Sequence, residues 1–223
     1  TENETFFSNE VSWGMLSNTS LYGGLLISDD DYHSAAMGIG QNMLWLGALS
    51  FDVTWASSHF DTQQDERGLS YRFNYSKQVD ATNSTISLAA YRFSDRHFHS
   101  YANYLDHKYN DSDAQDEKQT ISLSVGQPIT PLNLNLYANL LHQTWWNADA
   151  SMTANITAGF NVDIGDWRDI SISTSFNTTH YEDKDRDNQI YLSISLPFGN
   201  GGRVGYDMQN SSHSTIHRMS WND

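Results

Sequence analysis

The sequence predicts an all-β chain, an antiparallel up-and-down transmembrane β-barrel segment of about 12–13 strands. Three observations predict it. Apolar and polar residues alternate with a period of two in one stretch after another. The connections between these stretches alternate between short and long, as expected when strands run up and down with tight turns at one rim. The polar members are Ser, Asn, Thr and Gln along the whole of each stretch. A dry core would leave such groups unsatisfied, whereas a watery lumen would not.

The strands are expected in order at 5–16, 20–28, 33–42, 46–57, 67–78 and 84–95, then at 117–127, 132–144, 150–163, 168–180, 188–197, 202–210 and 214–221. No segment between them reads as a helix. In "GLSYRFNYSK" one face carries Leu69, Tyr71, Phe73 and Tyr75, and the other carries Ser70, Arg72, Asn74 and Ser76. The alternation is clearest in "LNLNLYANL", which sets Leu132, Leu134, Leu136, Ala138 and Leu140 against Asn133, Asn135, Tyr137 and Asn139. "ISISTSF" and "IYLSISLPF" repeat it. Short connections are read at "SNTS", "NMLW", "DATN", "TPLN", "GDWR" and "GNGG". Longer or more acidic ones are read at "SDDDY", "SSHFDTQQDER", "DRHFHSYANYLDHKYNDSDAQDE", "WNADAS" and "YEDKDRD". A soluble sandwich with one solvated face per sheet produces a similar alternation, but a Greek key has no reason to alternate its connections.

Composition narrows the function. The 223 residues carry 27 acidic and 12 basic side chains, a formal charge of -15. That balance argues against nucleic acid and against an anionic lipid leaflet, both of which require a basic surface. The absence of cysteine removes disulfides, thiol nucleophiles and thiolate metal sites together. The mean hydropathy of -0.58 is compatible with a membrane barrel, whose strands need only about 9–11 alternating residues. No basic segment followed by an apolar run opens the chain, so it reads as a mature chain or an internal fragment.

At "LYGGLLISDDDYHSAAMGIGQNMLWLGALSFDVTWASS" the chain resembles the translocation domain of an outer-membrane fimbrial usher. "GLSYRFNYSK", "LAAYRFSDRHFHSYANYLD", "LHQTWWN" and "DNQIYLSISLPFG" agree in order and spacing, and the resemblance covers nearly the whole chain. It departs where Ala90 replaces the usual glycine before the Tyr-Arg pair, and where Phe98 and His99 replace more typical tyrosines. The resemblance implies the later part of the usher barrel, with residues 1–223 forming part of the pore domain and the periplasmic N-terminal, plug and C-terminal domains absent. It implies a bacterial outer-membrane location and the secretion and assembly of pilus subunits without nucleotide hydrolysis. The implied partners are periplasmic chaperone–pilus subunit complexes, outer-membrane lipid and the remaining usher domains, with no nucleic acid and no cofactor. In such a barrel Tyr71, Phe73, Tyr75 and Leu134 are expected to face lipid, and Arg72, Asn74, Asn133 and Asn135 the lumen.

Catalytic signatures are not found: nothing resembles a nucleophile elbow, a zinc-protease helix or a phosphate loop, and no enzyme is expected. His97 and His99 stand two apart and could share one side of an extended chain as metal ligands. Their neighbours Arg96 and Lys108 add positive charge, and they are read as loop histidines. "DKDRDNQIYLSI" begins like a calcium loop with Asp183, Asp185 and Asp187, but Asn188 and Ile194 stand where glycine and glutamate are needed, so a solvated acidic loop is expected. Asn83-Ser84-Thr85 follows from an Asn/Ser/Thr-rich composition and is not read as a glycosylation site. The alternative function is a secreted β-sandwich adhesin or carbohydrate binder with Trp145 and Trp146 as a stacking platform. Adjacent strand residues point to opposite faces, which disfavours it unless the pair lies in a turn.

Overall fold

The computed structural model describes residues 5–28, 31–60, 65–110, 115–165, 167–182, 184–198, 202–212 and 214–222. Among these residues, thirteen strands follow one another in chain order in one sheet: β1 (Phe6–Leu16), β2 (Thr19–Ser28), β3 (Tyr32–Asn42), β4 (Ala48–Ser58), β5 (Glu66–Val79), β6 (Ser84–Ser94), β7 (Glu117–Ile129), β8 (Leu134–Trp145), β9 (Ser151–Ile164), β10 (Trp167–Tyr181), β11 (Lys184–Phe198), β12 (Gly202–Ser211) and β13 (Thr215–Asn222). The pairings from β1 to β5 and from β9 to β13 are antiparallel throughout. Among the described residues, a single α-helix, α1 (Tyr101–Asn110), stands between β6 and β7.

The thirteen expected strands are present, most within two residues of their expected ends. Four expectations are corrected. Residues 101–110 form a helix where none was expected. Asn133 is not a strand residue: it caps a 3-10 turn over Thr130–Leu132 in the left-handed region at φ 46°, and β8 starts only at Leu134. The acidic stretch after Tyr181 is not a loop, because β11 begins at Lys184 and Tyr181 pairs with Lys184 across a tight hairpin. Asp187 and Asn188 are ladder residues opposite Thr179 and Thr178, while Asp183 lies outside the described residues. The alternation of connection length is therefore only partial: β2 ends at Ser28 and β3 starts at Tyr32, but long connections do follow β4 and β6.

The chain divides into two compact units, one of Thr1–Lys77, Ser87–Ser122 and His142–Ala150, the other of Gln78–Ile86, Leu123–Leu141 and Ser151–Asp223. In the first, a small core of Tyr32, Ala56, Phe98 and Tyr104 lies between α1 and the sheet, flanked by Leu26, Phe60, Tyr101 and Leu105. Burial is otherwise sparse. The accessible surface is 14971 Å², whereas a compact soluble protein of 25.3 kDa exposes only about 10,000 Å².

Candidate functional site

Both units sort their side chains by face. In the first unit the register places Leu25, Met37, Phe51, Trp55 and Tyr71 on one side, all of them exposed. Val53 sits directly opposite Tyr71, and Phe51 opposite Phe73. The other side carries Glu10, Tyr22, Ser34, Ser50, Asp52, Thr54, Ser70, Arg72 and Asn74. In the second unit Ile156, Phe176 and Ile190 form one apolar row across β9, β10 and β11, and Ile172 joins Phe160 and Ile194 in another. The opposite face is a carpet of short polar groups: Asn155, Thr157, Asn161, Ser171, Ser173, Ser175, Ser193 and Ser195. Asn135 lines a depression with Asn161, Ser171, Ser173, Ser193 and Ser195, and with Gly159, Phe160 and Ile172.

Charged and polar groups of the polar face pair with one another. Asp52, with only 5% of its side chain exposed, accepts from Arg72 Nε at 2.9 Å and Tyr22 Oη at 3.0 Å. Tyr22 reaches Asp52 by lying across Gly38, where a Cβ would fall 2.4 Å from its ring. Asn74 Nδ2 donates to Ser50 Oγ at 2.9 Å. In the second unit Arg203 donates from Nε to Ser195 Oγ and from Nη2 to Ser171 Oγ and the Asp169 carbonyl, and its Nη1 pairs with Asp169. On the apolar face Tyr75 sits at the turn end of β5 and donates its hydroxyl to the Leu46 carbonyl at 2.8 Å. Next to it Leu44 and Trp45 project from the 3-10 turn at 84% and 77% exposure.

Helix α1 packs on the polar face of the first unit. Gly68, opposite Ala56, permits the approach, since a Cβ there would lie 2.3 Å from the Phe98 backbone nitrogen. Ser100 caps the helix by accepting from the Asn103 amide at 3.3 Å. Tyr101 meets Ser28 hydroxyl to hydroxyl, and Tyr32 donates to the His99 carbonyl at 3.1 Å. Lys108, in the last turn, pairs with Asp31 at 3.1 Å.

His97 and His99 part company. His97 is exposed. His99 is 4% exposed, with Nε2 2.5 Å from Glu66 Oε2 and Nδ1 3.4 Å from Asp116 Oδ1. His107 Nε2 approaches the same Asp116 oxygen at 2.7 Å. His99 is thus not a plain loop histidine. Burial, the largest influence, disfavours its charged form, but Asp116 and Glu66 outweigh it and raise its pKa above the usual histidine value. Burial likewise opposes the charge of Asp116, but His99 and His107 hold its carboxyl below the usual range. Sequence reasoning missed Asp52, Glu66, His107 and Asp116 as partners. The helix was signalled by Ser100 followed by Tyr101, Tyr104 and Leu105 at helical spacing.

Trp145 ends β8 and Trp146 follows it. Trp146 donates to the Ser94 carbonyl and has Lys118 Nζ 4.6 Å over its ring, so one face is already covered and the pair is no stacking platform.

The family model described as "Usher: Outer membrane usher protein" matches residues 1–223. The chain is 37% identical over 219 residues to the putative outer membrane usher protein YqiG of Escherichia coli K12, covering 98% of this chain and 27% of that protein. It is 31% identical to the outer membrane usher protein PmfC of Proteus mirabilis, with the same coverage. It thus spans about a quarter of the length of these relatives. Among solved structures, the E. coli P pilus tip assembly intermediate PapC-PapD-PapK-PapG contains a chain with TM-score 0.80 and 26% identity, over 100% of this chain and 27% of that one.

Proposed function

Because the chain belongs to the outer membrane usher protein family, we propose that it supplies strands to an outer-membrane pore that secretes and assembles chaperone-delivered pilus subunits. The observation that carries this reading is the division of the sheet into an exposed apolar face and a small-residue polar face. Tyr71, Phe73 and Phe176 face lipid. Tyr75 and Trp45, at a turn, stand at the membrane boundary as interfacial aromatics. Leu134, the first residue of β8, lies near a rim, and Asn133 lies in the turn itself. Arg72, Asn74, Asn135 and the serines of β10 and β11 face the lumen.

A lumen of short hydroxyl and amide groups suits the passage of folded cargo. Both surfaces stay hydrated, and no apolar patch grips the subunit. The pore performs no catalysis and hydrolyses no nucleotide; strand addition between successive subunits drives export. In this reading the chain is a run of strands from the later part of the barrel, and the N-terminal, plug and C-terminal domains belong to the remainder of the protein. The test is deletion of the gene in its native strain followed by complementation. Subunits should accumulate in the periplasm and return to the cell surface on complementation; surface pili undiminished by the deletion would overturn the proposal.

A further inference from the structure

We propose that His99, His107 and Asp116 form a binding site for one divalent late first-row metal ion, with zinc as the probe. The three lie at separate points of the connection that carries α1: His99 before the helix, His107 in its last turn, and Asp116 just before β7. One ligand atom from each falls within 4.8 Å of the others. A tetrahedral ion with metal–ligand bonds of about 2.0–2.2 Å separates its donors by about 3.4 Å. His99 Nδ1 and Asp116 Oδ1 already stand at 3.4 Å, and His107 Nε2 is 2.7 Å from the same oxygen. The donors need shifts of about an ångström to enclose an ion.

The state of His99 is the independent observation. Its ring is buried, and Nδ1 has no hydrogen-bond partner although a carboxylate faces it. Glu66 holds the opposite ring nitrogen at 2.5 Å. A carboxylate on the far nitrogen of a ligating histidine is the arrangement that fixes tautomer and ring orientation at metal sites. With Nε2 turned to Glu66, Nδ1 and the Asp116 carboxylate face the same place, where a proton or a metal ion satisfies both, and a metal ion competes with that proton for Nδ1. Phe60 packs edge-on against His99 and His107, walling the site on one side. Two imidazoles and one carboxylate favour zinc, nickel or copper over calcium or magnesium, which take oxygen. Three protein ligands leave a fourth position for water. A bound ion would tie both ends of α1 to the start of β7.

The full-length protein is purified without an affinity tag in detergent, stripped with chelator and titrated with zinc against a competing chelator. Bound metal is counted by mass spectrometry, and cobalt(II) substitution reads coordination from its visible bands. Wild type should bind one more zinc than His107→Gln and Asp116→Asn, with affinity at this site at least tenfold weaker in both, and tetrahedral cobalt bands should appear only in wild type. Heat-modifiable gel mobility checks that each variant remains folded, and the exposed His97→Gln should bind as wild type does. No zinc uptake by wild type, equal uptake by the two ligand variants, or a loss in His97→Gln matching theirs would overturn the site.

Discussion

Replacing Phe176 with arginine tests the apolar face where it is best defined. Phe176 lies well inside β10, with Ile156 opposite it on one neighbouring strand and Ile190 on the other. If that row faces hydrocarbon, Phe176→Arg places a charge near the membrane midplane at a cost of about 2–4 kcal/mol. Loss of the two cross-strand aromatic–aliphatic contacts adds about 0.2–1 kcal/mol each. Ser175→Arg, one residue away, sits between Thr157 and Tyr191 on the polar face and should cost close to nothing. Both variants are made in the full-length protein, folded into lipid vesicles and unfolded in urea, with heat-modifiable mobility and tryptophan fluorescence as readouts. Phe176→Arg should lower the midpoint clearly and Ser175→Arg should not. Equal effects, or greater damage from Ser175→Arg, would refute the assignment of faces.

Three further outcomes follow from the same geometry. Gly68→Val drives a side chain into the Phe98 backbone, so α1 should detach and residues 95–116 of the full-length protein should become cleavable by added protease; unchanged resistance would contradict the packing. Asp52→Ala removes the acceptor shared by Tyr22 and Arg72 and should destabilise by about 1–3 kcal/mol in urea titrations; an unchanged midpoint would show that the pair does not hold the face together. The isolated 223-residue chain, with its excess of exposed apolar surface, should sediment as aggregate without detergent, whereas a soluble monodisperse monomer would count against a membrane segment.

The strands were legible because one face is apolar and the other polar, and period-two alternation records that difference residue by residue. "LNLNLYANL" shows both the strength and the limit of this signal. Alternation identified the strand, but it ran on through Leu132 and Asn133, where Pro131 and a left-handed Asn133 make a turn. The acidic run after Tyr181 was read as a loop by composition, yet its backbone continues the ladder. Helix α1 carries a local signal in Ser100 and the Tyr101, Tyr104 and Leu105 spacing, but polar neighbours surround those residues, and the signal is weaker than the period-two alternation of the flanking strands. The Glu66, His99, His107 and Asp116 cluster draws on residues far apart in sequence and forms only when α1 folds back onto the sheet, a long-range contact that no local spacing encodes. Asp52 belonged to the quoted resemblance, but its bond to Arg72 depends on the β4–β5 register.

In the proposed pore one face of this sheet is wet and the other meets lipid. Because the chain contains no cysteine, single cysteines can be placed at 173, 174, 175 and 176 of β10 and at 51, 52, 53 and 54 of β4 in a full-length protein otherwise free of cysteine, each carrying a nitroxide label. In lipid vesicles, collision with a water-soluble nickel chelate and with oxygen, which concentrates in the bilayer, reports which solvent each label meets. The nickel signal should appear at 173 and 175 and the oxygen signal at 174 and 176, with the parity reversed in β4, where 52 and 54 are wet and 51 and 53 lie in lipid. An absence of alternation, or the same parity in both strands, would contradict it.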